Sequence, residues 1–347
     1  MAAVQTLQEF RELLQAGFEN NEKTLEQFDK IDSAQLKAYL IESNLDLKAA
    51  GAPVGNWQRL EDTDWYVSKG GGHFNSLFLD KSRSRVWVIY SLIDADTTKS
   101  LINNWIKKKN GLDKVWLSRP QLLHLANIGE GWVERGLGIK FADGLATDED
   151  SAGNVSVKAW HGANSKTQDI YDIADHAKKR FAISSVRWQK RTNRAVSITT
   201  EWYSDGRVTI NRAMDVDEVL IWISEMANRY EDSLHEATIL RNSTMAPFEL
   251  NFTQEIDLES FSNTVSKGKG DMNLWLVETE HETDFRRFKG VDLHTWDRIL
   301  LDVGLDYAYL TIPGEGCVNS APRLAVVQGE DNAGVTSIYH DGTEVFV

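Results

Sequence analysis

Between residues 196 and 210, β-branched and aromatic residues recur at every second position on both sides of one Asp-Gly step. No other stretch constrains the fold as much. Val196, Ile198, Thr200 and Trp202 precede Ser204-Asp205-Gly206, and Val208 and Ile210 follow it. Such alternation is the period of a strand with one covered face, and glycine accepts the positive φ of a tight turn, so the segment predicts an antiparallel hairpin. A long helix is predicted next, from about Asp215 to Leu240. Val219, Leu220, Ile223, Met226, Ala227, Tyr230 and Leu234 share its apolar stripe, and Glu225 and Arg229 form an i,i+4 pair. Upstream, Val155 to Trp160 reads as a strand, Thr167 to Arg180 as a helix and Ser184 to Lys190 as a strand. Downstream, Phe248 to Phe252 alternates again. The order βαβββαβ predicts a ferredoxin-like split βαβ module with one added hairpin strand.

Around this module the chain reads as α+β in four parts: an N-terminal helical segment at 1–55, an α+β module at 56–150, the ferredoxin-like module at 151–247 and a related α+β module at 248–347. Val4, Leu7, Phe10, Leu13, Leu14 and Phe18 lie on one helical stripe, and Leu25, Phe28 and Ile31 repeat the spacing. Ser33 is placed to cap a third helix carrying Leu36, Tyr39, Leu40 and Leu45. Arg85 to Leu92 lacks clean alternation and predicts a strand covered on both faces. Asp96 and Ser118 are expected helix caps, and Asp143 to Asn154 is a polar boundary loop. Near the C-terminus the pattern predicts a short helix after Asp257, a strand from Asn273 to Glu280 and a second amphipathic helix from Asp292 to Val303. Strands at Asp306 to Ile312 and Arg323 to Gln328 and a hairpin at Asp341-Gly342 complete the chain.

Composition narrows the classes. Of 347 residues, 41% are hydrophobic and 26% charged, as in an ordinary globular protein, so order is expected throughout. Cys317 is the single cysteine, which excludes an intramolecular disulfide and a cysteine-rich zinc knuckle and fits a reducing compartment. The N-terminus lacks the apolar core of a signal peptide, and nowhere do about 18 apolar residues run together, so a cytoplasmic protein without a membrane segment is expected. The twelve tryptophans supply either core anchors or flat stacking surfaces.

Net charge is −14, yet Lys178, Lys179, Arg180, Arg187, Lys190, Arg191 and Arg194 occur without an intervening Asp or Glu. A run of the minority sign attracts an anionic partner. With Trp188 among these cations, and Arg207 and Arg212 on the next hairpin, the segment resembles what single-stranded nucleic acid needs: charge for phosphates and a ring for bases. The competing explanations are an acidic protein partner, or charges that pair internally and solubilise a sheet edge. The expected function is therefore a non-catalytic nucleic-acid-binding or adaptor subunit of a larger assembly, with a protein partner and no cofactor.

One alternative is a metal-dependent nuclease or phosphodiesterase using Asp271, Glu278 and Glu280, the last two on one strand face. Another is a protein-interaction scaffold without nucleic acid. Other chemistry finds little footing. Lys69-Gly70-Gly71-Gly72-His73 lacks the Walker spacing, and Glu134 stands where the third glycine of the run starting at Gly129-Glu130-Gly131 would be needed. His73, His235, His281 and His294 form no ligand spacing, and Cys317 has no sequence neighbour that would activate it.

Overall fold

The computed structural model of the chain describes residues 4–25, 36–69, 76–125, 131–142, 154–160, 182–192, 195–266, 270–331 and 334–347. In the first two thirds the elements run α1 (Leu7–Leu25), β1 (Leu36–Ser43), α2 (Leu47–Ala50), β2 (Trp57–Arg59), β3 (Trp65–Lys69), β4 (Ser76–Asp80), β5 (Val86–Ser91) and α3 (Ala95–Lys108). Then come β6 (Leu112–Lys114), α4 (Arg119–His124), β7 (Trp132–Ala142), β8 (Asn154–Trp160), β9 (Ala182–Thr192), β10 (Ala195–Tyr203), β11 (Arg207–Ala213) and α5 (Val216–Thr244). The remainder is β12 (Phe248–Phe252), α6 (Leu258–Ser266), β13 (Leu274–His281), β14 (Phe285–Asp292), β15 (Arg298–Gly304), β16 (Tyr307–Thr311), α7 (Ser320–Asp331), β17 (Val335–His340) and β18 (Thr343–Val345).

The strands form two antiparallel sheets, and the fold is α+β. The first has the order β2-β3-β4-β5-β1-β11-β10-β9-β7-β8, with β6 also on β1. Its strands come from residues 36 to 213, so the segments expected at 1–55, 56–150 and 151–247 all contribute to it. The second has the order β13-β14-β15-β16-β12-β17-β18. Because β12 pairs with β16 and β17 there, the last strand of the expected ferredoxin-like module lies outside the sheet that holds β8 to β11. The helix expected at Thr167 to Arg180 falls outside the described residues.

Both faces of the first sheet near β1 are covered. On one, Phe10 of α1 packs 4.4 Å from Phe78 and 6.0 Å from Tyr90, ring to ring. On the other, Ile102, Trp105 and Ile106 of α3 meet Ile41, Leu79, Trp87 and Ile89. Helices α5 and α7 each pack on strands of both sheets, so one continuous apolar core joins the two halves. No described helix is long and apolar enough to cross a membrane.

Local signals account for several elements. The Asp205-Gly206 turn forms with Gly206 at φ +72° between β10 and β11. Ser118 caps α4 in a reciprocal capping box with Gln121, and Asp215 caps α5. The α3 cap is Asp94 rather than Asp96, its carboxylate accepting from Thr97 N at 2.9 Å. Three assignments change type. Leu36 to Ser43 is a strand, not a helix, and is buried along its whole length. The segment expected as a helix at Asp292 to Val303 is a turn followed by β15. Arg323 to Gln328 belongs to helix α7, whose first turn tolerates Pro322 because the amide lost there would have no helical partner.

Candidate functional site

The basic strand is β9, held between β10 and β7. Trp188 does not present a stacking surface: it is 3% exposed and belongs to the core. Helix α5 covers that face, with Trp222 stacked 3.6 Å from Trp132 and set edge-on 5.1 Å from Trp202. Lys190, on the same side, is ion-paired with Glu218 of α5. Arg187 is half-buried; desolvation lowers its pKa, while Glu201 acts in the opposite sense. The Arg207 guanidinium lies 3.7 Å above the Tyr203 ring, and Arg191 is exposed. Lys178, Lys179, Arg180 and Arg194 lie outside the described residues.

The three acids of the nuclease alternative do not converge. Asp271 pairs with Lys114 at 2.6 Å. A bulge between Glu278 and Glu280 leaves Glu278 opposite the buried Phe288 and Glu280 opposite Arg287, so the two carboxylates take opposite faces of the sheet. One extra residue reverses the alternation on which the shared face depended. Glu278 contacts His281 at 2.6 Å, whereas Glu280 contacts Arg287 at 2.8 Å.

The structure assembles a different set at the seam between the two sheets. Glu42 near the end of β1 stands directly opposite Asp113 of β6, and both are buried. Like charges in register repel, so each requires its own cation. Arg85 pairs with Glu42, and His294 Nε2, from the β14–β15 turn, lies 3.3 Å from the other Glu42 oxygen. Arg323 of α7, itself fully buried, bridges Asp113 at 2.5 Å and Asp292 at 2.6 Å. Three carboxylates thus meet two guanidinium groups and one imidazole. Burial opposes the His294 charge, but Glu42, Cys317 and Asp113 together outweigh it and raise the pKa to about 10. Asp292 is held below the usual carboxylate range: burial pushes it up, and Arg323 and His294 together more than offset this.

Cys317 sits among these groups, in the turn before α7. Its Sγ is 3.4 Å from Arg85 Nη2, 3.7 Å from Glu42 Oε1 and 3.7 Å from Asn44 Nδ2. Glu42, His294 and Cys317 are all buried, and each offers a ligand atom within 4.8 Å of the other two. Hydrogen bonds fix the frame. Asn319 Nδ2 reaches Asp113 Oδ2 at 3.0 Å, Tyr230 OH donates to Asn319 Oδ1 at 2.6 Å, and Gly111 N donates to His294 O at 2.8 Å. A thiol, an imidazole and a carboxylate so arranged can ligate a transition metal. Their burial excludes a polymer. Residue spacing carries no sign of this site, because 275 positions separate Cys317 from Glu42.

A second feature is solvent-facing. On the outer face of the second sheet, Trp275 is 60% exposed and Val277 57% exposed on the edge strand β13, with Leu300 39% exposed on β15. Cross-strand register sets Trp275 beside Val291 and Arg298, and Val277 beside Lys289 and Leu300. Lys289 and Arg298 are exposed and make no ion pair among the described residues. Arg287 on the same face is held by both Glu280 and Asp302.

Uncharacterized protein MJECL33 of Methanocaldococcus jannaschii is 23% identical over 367 aligned positions, which cover 90% of this chain and 88% of that protein. With a family model matched over residues 1–328, the chain belongs to the MJECL33-like protein family.

Proposed function

We propose that the chain is a binding protein for single-stranded nucleic acid and that it binds through the outer face of its second sheet. The observation that carries this reading is an exposed Trp275 in one row with Arg298 and one row from Lys289. A flat ring on a sheet stacks a base, and adjacent cations meet the phosphates on either side. Neighbouring strands are roughly 4.8 Å apart, so Trp275 and Arg298, two strands away, are spaced by about 10 Å, within reach of one nucleotide unit. Expected first at β9, the combination of ring and charge is better met here, because Trp188 is in the core and Lys190 is paired.

The test is fluorescence anisotropy of labelled oligonucleotides with the full chain over a salt series. Trp275→Ala removes a stacked base worth about 1–3 kcal/mol, which is roughly a 5- to 150-fold loss of affinity. Replacing Lys289 and Arg298 with Ala flattens the dependence on salt, since fewer counterions are released. A Trp275→Ala protein that binds as tightly as its parent, while the Arg187, Lys190 and Arg191 triple Ala variant loses binding, would return the site to β9. No affinity in the parent would remove the reading. A protein partner is favoured instead by the aliphatic Val277 and Leu300 on an open strand edge, and would appear as binding indifferent to both salt and oligonucleotide.

A further inference from the structure

We propose that Glu42, His294 and Cys317 form a binding site for a single divalent transition-metal ion, with zinc as the ion their chemistry suits best. One carboxylate oxygen, one imidazole nitrogen and one thiolate sulfur are a borderline-soft donor set, and calcium or magnesium would call for oxygen alone.

Three observations converge. Two of the ligand atoms already stand at the spacing of a tetrahedral shell, His294 Nε2 lying 3.3 Å from Glu42 Oε2, and all three lie within 4.8 Å of one another. Metal–ligand bonds of about 2.0–2.3 Å at tetrahedral angles require ligand separations of roughly 3.3–3.8 Å. Next, the fully buried Glu42 Oε2 and the His294 ring face each other and the Cys317 thiol, the partners the three would share with one ion. A cation between them satisfies a carboxylate, an imidazole and a thiolate together. Finally, the outer partners are in place. Glu42 is bifunctional, with Oε1 on Arg85 and Oε2 left for the ion, while Arg85 and Asn44 direct N–H groups at the sulfur. Such contacts orient ligands and quiet the charge of a bound thiolate.

As the sulfur–metal bond forms, the proton of the Cys317 thiol leaves to solvent. Three protein ligands leave a fourth position for water. Because Glu42 comes from the first sheet and the other two ligands from turns at the second sheet and α7, the ion would also clamp the two halves together.

Cys317 is the single thiol, so its chemistry reads this site alone. The full chain, stripped with chelator, is titrated with zinc and, in parallel, with cobalt. The expected results are one ion per chain, a thiolate-to-cobalt charge-transfer band, and protection of Cys317 from alkylation by at least tenfold at saturating zinc. Cys317→Ser and His294→Gln each abolish the band and weaken zinc binding at least tenfold, with circular dichroism reporting retention of the fold. The alkylation arm needs only the parent protein, so it decides the matter even where a variant fails to fold. A cobalt spectrum without the thiolate band, or alkylation at the same rate with and without zinc, overturns the proposal.

Discussion

Replacing Arg323 with Met removes the cation that joins the two halves at Asp113 and Asp292 without leaving a large void. The side chain is fully buried, and its two ion pairs measure 2.5 Å and 2.6 Å. Breaking a buried pair from one side costs about 3–5 kcal/mol, because the abandoned carboxylate stays desolvated. Here two are abandoned, but not stripped. Asp113 still accepts from Asn319 Nδ2 at 3.0 Å, Lys114 N at 2.8 Å and Trp116 Nε1 at 3.2 Å, and Asp292 from Ser320 Oγ and from His294 N at 2.9 Å. The expected loss is therefore about 3–5 kcal/mol in total rather than for each acid. Urea unfolding followed by tryptophan fluorescence and far-ultraviolet circular dichroism measures it. At an m-value of about 3 kcal/mol/M, the midpoint falls by roughly 1–1.7 M. If uncompensated charge is the cause, adding Asp113→Asn and Asp292→Asn to the Met variant recovers at least about 1 kcal/mol. A midpoint shift below about 0.3 M, or a triple variant less stable than the single, refutes the reasoning.

Two other substitutions test the frame. Lys37 is buried in β1 with its ammonium on Ile93 O at 3.0 Å, and desolvation lowers its pKa against the attraction of Asp94. A base with a depressed folded pKa destabilises the fold while it is charged, and this cost is relieved as pH rises through that pKa towards 10.5. Lys37→Met is thus expected to be stabilising by about 1 kcal/mol at neutral pH, with the advantage shrinking as pH approaches 10.5 in thermal or urea unfolding. Gly206→Ala forces a side chain onto φ +72° and brings its Cβ within 2.6 Å of Val115 O. A loss of about 1–3 kcal/mol is expected in urea unfolding, and an unchanged midpoint would mean that the turn relaxes freely.

Where the local period was unambiguous, the elements were legible. The β10–β11 hairpin rests on strict alternation around Asp205-Gly206, and α5 on a stripe sustained from Val219 to Leu234 beyond a capping Asp215. Strand β5 could be recognised by its lack of alternation, and it is buried at every position. The same property hid β1. Buried on both faces, it places Leu36, Tyr39 and Leu40 at three- and four-residue spacings that a helix stripe also produces. Helix α7 was obscured in the reverse way, since Leu324 to Val327 is a short apolar run that suits either form. At the sites, the Glu278–Glu280 face depended on a register that one bulge reverses, and the exposure of Trp188 depended on where α5 would lie. Neither fact is local.

The seam was illegible for a further reason, which bears on its purpose. Glu42, Asp113, His294 and the Cys317–Arg323 stretch come from four separate segments and meet only when both sheets are formed. Stability alone does not call for such a meeting. Well-packed apolar residues of similar volume hold a seam as firmly as buried ion pairs, without the desolvation penalty. The Asp113–Arg323–Asp292 bridge nonetheless has a structural role, since both carboxylates are held by the guanidinium and by neighbouring donors and the bridge fixes one docking geometry. Beside it, Glu42, His294 and the Cys317 thiol turn three potential ligand atoms, all buried, toward one another. Geometric fixation explains the first group and leaves the second unexplained. A rigid frame holding three potential ligand atoms around one small volume is the arrangement that ion binding requires, which is why the metal titration separates a purely structural seam from a functional one.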